Sequence, residues 1–94
     1  MELEPTIAVR SLTHPETGAV PVEIGAPRPF DDGTGWYCPY RIGGSGKRVR
    51  FAGGVDAVQA LQLVMTMIGA DIAAMNEAVH GTMKWGESFR LGFP

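Results

Sequence analysis

The stretch from Val55 to His80 carries more apolar surface than one small core can cover, and this constrains the whole chain. Val58, Leu61, Met65, Ile68, Ile72, Met75 and Val79 recur at alternating spacings of three and four, so they fall on one stripe of a 3.6-residue helix. Gly53-Gly54 and Asp56 mark its start, since an aspartate there accepts a free N–H of the first turn. Gly81 marks its end, suited to the left-handed residue that closes many helices, with His80 just before it. At about 100° per residue, Ala60, Leu63, Val64, Met67, Ala74 and Ala78 form a second set beside the first, with Asp71 among them. The apolar arc then exceeds about 200°, whereas a helix resting on one sheet needs little more than about 100°.

Length adds to the surplus. The 26 residues from Val55 to His80 reach about 39 Å as a helix, against a diameter of about 32 Å for a compact chain of this size. Such a helix overhangs, bends or finds a second surface. Gly69 lies in its middle at a cost of about 1 kcal/mol relative to Ala, and because the stripe keeps its phase there, close packing against a neighbouring helix is expected rather than a break.

A chain of 94 residues has room for one core, so a single domain spanning 1–94 is expected. Cys38 is the only cysteine, which excludes an intrachain disulfide, and oligomerisation is the remaining way to add stability. The acidic start, Met1 to Pro5, lacks the basic region and apolar run of a signal peptide. Asp56, Asp71 and Glu77 argue against a membrane-spanning role for the helix. A cytoplasmic protein is expected.

Ahead of the helix the chain reads as four short strands. Ile7 to Leu12 is closed by the Pro15 and Gly18 turn. Val20 to Ile24 follows, where Pro21 argues for an edge position or a strand start. Trp36 to Ile42 and Lys47 to Ala52 form a hairpin around Gly43-Gly44-Ser45-Gly46. Pairing Ile42 with Lys47 puts Trp36, Cys38, Tyr40, Ile42, Val49 and Phe51 on the core face, and Tyr37, Arg41, Arg48 and Arg50 on the other, with Arg10 as a further outer-face candidate. Phe89, Leu91 and Phe93 alternate with Arg90 and Gly92, a pattern for a short last strand or a docked tail that includes Trp85.

The strings Trp36-Tyr37-Cys38-Pro39-Tyr40-Arg41-Ile42, Gly54-Val55-Asp56-Ala57-Val58-Gln59-Ala60-Leu61-Gln62 and Met67-Ile68-Gly69-Ala70-Asp71 resemble a family of short uncharacterised bacterial proteins, a domain of unknown function. The resemblance covers about the central half of the chain. It implies a bacterial, single-domain, strand-then-helix protein and brings no activity and no site residues with it.

Candidate chemistry is thin. Gly43 to Arg48 resembles the end of a phosphate-binding loop but has the wrong glycine spacing, lacks a Ser or Thr after the lysine and precedes a strand. Asp31-Asp32-Gly33 lacks the ligand spacing of a calcium loop and reads as a turn. His14 and His80 lie in a turn and at a helix end, and Cys38 faces the core, so no nucleophile and base are brought together. No metal or cofactor is implied. The least bland surface feature is Arg41, Lys47, Arg48 and Arg50, half of the eight cations within ten residues that hold no acid, although the net charge is −2. Asp71, inside the second apolar arc, needs an ion-pair or hydrogen-bonding partner if that face is dry.

The sequence therefore predicts an α+β two-layer domain, a four-stranded antiparallel sheet followed by one long helix on one face. The expected function is a small non-enzymatic interaction or assembly protein acting as a homodimer, with Ala60, Leu63, Val64, Met67, Asp71, Ala74 and Ala78 as candidate interface. The alternative is an anion or single-stranded nucleic-acid binding module using Arg41, Lys47, Arg48 and Arg50. Nucleic acid is the less favoured partner, and an enzyme is the least supported class.

Overall fold

The computed structural model describes all of residues 1–94. In chain order the elements are β1 (Thr6–His14), β2 (Gly18–Gly25), β3 (Arg28–Pro29), β4 (Trp36–Ile42), β5 (Arg50–Gly54) and α1 (Ala57–Glu77). The fold is α+β, an antiparallel sheet with one helix after it. Tyr40 of β4 pairs with Ile24 of β2 and with Arg50 of β5, so those two strands flank β4 on opposite edges. Tyr37 pairs with Arg28 and with Gly53, which puts β3 on the β2 side. From Ile24 to Arg28 the chain uses one residue more than β4 uses from Tyr40 to Tyr37, so β3 continues β2 beyond a bulge-like irregularity.

Pro21 does not mark an edge. β2 lies between β1 and β4, and Pro21 falls just beyond the Val22–Ile42 rung, where Gly43 N–H still donates to the Pro21 carbonyl at 2.9 Å. The missing proline donor is thus placed where the β4 ladder is ending.

Side chains alternate across the sheet, and Leu12, Val20, Val22, Ile24, Cys38, Tyr40 and Ala52 are buried on the face that meets the helix. The hairpin register differs from the expected one by one residue. Cys38 pairs with Ala52 and Pro39 with Phe51, so Ala52 replaces Phe51 in the core and Phe51 is 44% exposed on the outer face. The cause lies in the loop. Gly43, Gly44 and Gly46 all have positive φ, and β5 starts only at Arg50, which turns an expected four-residue connection into residues 43–49. On the outer face Phe51 joins Phe30 and Tyr37, with ring centroids 5.0 to 6.1 Å apart, while the carbonyl of buried Leu3 and the Pro39 ring both lie against Gly25.

The helix begins at the expected signal. Asp56 accepts the Gln59 N–H at 2.8 Å, and the Gln59 side chain accepts the Val55 N–H at 2.8 Å, satisfying one first-turn donor and the N–H just ahead of the cap. It ends earlier than expected, at Glu77. Its last turn loosens, His80 takes a positive φ of 57°, and Gly81 donates back to the Asn76 carbonyl at 2.9 Å. At 21 residues the helix is about 31 Å long and fits within the 42 Å long axis of the molecule.

The buried stripe is rotated from the expected one. Ala60, Val64, Ile68 and Ile72 are the wholly buried helix residues, Leu61, Met65, Met67 and Met75 pack beside them, and Val58 is 64% exposed. Small Ala60 sits over Gly54, where an added Cβ would meet the Ala60 backbone, so the helix approaches β5 closely at its first turn.

After the helix there is no terminal strand. Thr13 and Lys84 exchange two backbone hydrogen bonds at 2.8 and 2.9 Å, adding one rung to the outer edge of β1, and Trp85 and Ser88 close a turn. The tail then returns over the helix side of the sheet with Leu91 and Phe93 half-buried. Arg10, opposite buried Val22 and therefore on this side rather than the outer one, stacks 3.7 Å from the Trp85 ring centre and donates to the carbonyls of Leu91 and Gly92. The tail reaches Gly69, whose missing side chain leaves room for the Pro94 backbone. The close approach expected at Gly69 is made by the chain's own tail rather than by a second helix.

Candidate functional site

The four clustered cations divide between the two faces of the sheet. Arg41 lies on the outer face opposite Glu23, and its guanidinium donates to both carboxylate oxygens at 3.0 and 3.1 Å. This fork-to-carboxylate bond raises the Arg41 pKa and ties up its charge. Arg50, by contrast, shares the helix side with Tyr40. Its Nη1 donates to Asp71 Oδ2 at 2.7 Å, and Tyr40 OH donates to the same oxygen at 2.9 Å. Asp71 thus finds its partners within the chain rather than across an interface. The pair is half-exposed, so its ionic part is worth about 1 kcal/mol or less and its main effect is to hold Arg50 in place.

Lys47 and Arg48 make no salt bridge and line a cavity of about 270 Å³ with Tyr40, Arg50, Asp71 and Met75. Lys47, Met75 and Ile42 also border a second cavity of about 510 Å³ that extends to His14 and Thr17. The His14 Nδ1 accepts the Glu16 and Thr17 N–H groups at 3.1 and 3.2 Å, which leaves Nε2 as the remaining ring nitrogen. Sequence reasoning placed Tyr40 and Ile42 in the core and His14 in a turn. Nothing in their spacing showed that the β1–β2 turn and the β4–β5 loop lie side by side.

Burial, then the bond to Asp71, push the Tyr40 phenol from 10.0 up to about 12. The folded state therefore holds this proton more tightly than the unfolded chain. The stabilisation is complete below about pH 10 and is lost as pH rises towards about 12. Denaturant titrations between about pH 9 and about pH 12 should show a steeper loss for the unaltered chain than for Tyr40→Phe; equal slopes would refute this role for Tyr40.

Of the candidate interface residues, Ala60 and Val64 are wholly buried in the chain's own core and offer no surface to a partner. Leu63 is 42% exposed, Ala74 and Ala78 are exposed, and Met67 is half-buried beside Phe51 and Arg50 at the unpaired edge of β5. Cys38 is buried, its thiol is pushed to about 11 by desolvation, and it donates to the Gly25 carbonyl. Asp32 accepts the Thr34 N–H and hydroxyl, which lower its pKa, and so acts as a turn residue. No three His, Cys, Asp or Glu side chains converge as a metal ion would require.

The model of a domain of unknown function, DUF6968, matches residues 8–94, nearly the whole chain. The chain belongs to the DUF6968 family. No curated protein and no solved structure matches it. In this DUF6968 domain the two surface features to be explained are therefore the polar Tyr40–Asp71–Arg50 cluster with its neighbouring cations and the uncovered apolar flank of α1.

Proposed function

We propose that the protein is a non-enzymatic interaction protein that works as a homodimer, its copies joined along the exposed flank of α1. One observation carries this reading. By length and composition alone the helix is apolar enough for a membrane span, yet only 22% of the residues in its most apolar 18-residue stretch are wholly buried in the fold. Leu63, Met67, Ala70, Ala74 and Ala78 lie towards the open side, and Ala70, Ala74 and Ala78 are small enough to let a second helix approach closely. A two-fold arrangement is the commonest way to cover such a self-complementary strip. A bacterial origin and a cytoplasmic setting belong to the same proposal and rest on the resemblance and the ordinary globular composition.

Association costs about 4 to 15 kcal/mol, so the helix strip needs help from the neighbouring β5 edge with Phe51 and Met1. Light scattering during size-exclusion chromatography at about 50 µM should give twice the monomer mass. Leu63→Glu adds a charge to the strip without touching the buried stripe, and should give monomers with unchanged circular dichroism. A monomeric unaltered chain, or a Leu63→Glu dimer, would end the proposal.

The alternative of a single-stranded nucleic-acid platform has less support. A backbone-tracking stripe needs continuous cations on one face, whereas Arg41 is bound to Glu23 on the side opposite Arg50.

A further inference from the structure

Two cavities of about 270 and about 510 Å³ share Ile42, Lys47 and Met75 and form one groove between the β4–β5 loop, the β1–β2 turn and the helix. We infer that this groove binds a small organic phosphate, a phosphate monoester whose phosphoryl group lies among Lys47, Arg48 and Arg50. This inference is tested separately from the dimer, since the groove uses neither Leu63 nor the exposed helix strip, although Arg48 and Arg50 also border the β5 edge.

Charge selects the ligand class. The smaller cavity brings three cations to one carboxylate, leaving two positive charges uncompensated. A phosphate monoester carries close to two negative charges at neutral pH and matches them, while a single carboxylate leaves one over. Asp71 does not oppose the anion strongly, because Arg50 and Tyr40 already donate to it. Arg50 spends only Nη1 on that bond and keeps other N–H groups in the fixed fork that suits phosphate oxygens.

The rest of the groove selects an organic group on the phosphate. Ile42 and Met75 line both cavities, and buried Val20 adds to the larger one, so the wall next to the cations is apolar. At the far end His14 holds its Nδ1 on backbone donors, so a neutral ring has its proton on Nε2, a donor for a hydroxyl or carbonyl of the ligand. Each part has a volume near or within the about 300–1,000 Å³ typical of small-molecule sites.

The test is a titration of the protein with phenyl phosphate at low salt, followed by heteronuclear NMR, with inorganic phosphate and benzoate as comparisons. Phenyl phosphate should bind saturably and at least about tenfold more tightly than either. Lys47→Ala and Arg48→Ala, both at exposed loop positions, should each weaken it about tenfold or more. Arg41→Ala, on the opposite face, should leave it unchanged. The inference is overturned by lack of saturation at about 10 mM, by equal affinity for benzoate, or by loss of binding in Arg41→Ala. It is also overturned if a single-stranded oligonucleotide binds this face and phenyl phosphate does not compete with it.

Discussion

Ile68→Ala is expected to lower the unfolding free energy by about 2–5 kcal/mol, because Ile68 is wholly buried at the centre of the helix stripe and a truncated side chain leaves a cavity under it. Phe51→Ala should cost less, about 1–3 kcal/mol. Its ring is 44% exposed, and what it loses is mainly the edge contacts to Phe30 and Tyr37, each pair worth about 0.5–1.5 kcal/mol. Val58→Ala should fall within about 0.5 kcal/mol, since Val58 is exposed. Urea denaturation of the three variants reads out the hairpin register directly. With Phe51 in the core, as the four-residue loop would place it, Phe51→Ala would match or exceed Ile68→Ala, and that result would refute the Cys38–Ala52 pairing.

The local signals in this chain were legible and the long-range ones were not. Asp56 and Gln59 mark the helix start because an N-cap acts on its own first turn, and the strand-then-helix order follows from period two giving way to period 3.6 before Gly81. The hairpin register was lost because three left-handed glycines allow several loop lengths, and one residue of slip exchanges Phe51 for Ala52 and moves Arg50 to the helix side. The helix stripe was misplaced for a related reason. With apolar side chains over most of the circumference, periodicity cannot choose between Leu61 and Ala60; the choice was made by Gly54, which lets β5 and the helix come close. Of the candidate site, the sequence supplied the cations but not their division. Only cross-strand pairing shows that Arg41 meets Glu23, while Arg50 meets an aspartate twenty-one residues further along.

Gly69→Ala should destabilise the protein by about 0.5–2 kcal/mol, although alanine in a helix interior is favoured over glycine by about 1 kcal/mol. The two effects have different origins. A Cβ at Gly69 runs into the Pro94 backbone, so the end of the tail must shift, and the expected result is that it lifts from the helix and takes Phe93 and Leu91 out of their partial burial. Full burial of such side chains is worth about 1.5–3 kcal/mol each, so for two half-buried ones the loss is again about 1.5–3 kcal/mol, which outweighs the propensity gain. Removing the tail separates them. In a chain shortened after Arg90 the obstacle is gone and only propensity remains, so Gly69→Ala should there stabilise by about 1 kcal/mol. The sign must therefore reverse between the full and the shortened chain. An equal effect in both would mean that the tail does not rest on the helix, and Arg10, held between Trp85 and Phe93, would then be clamping a segment with nothing to hold it against.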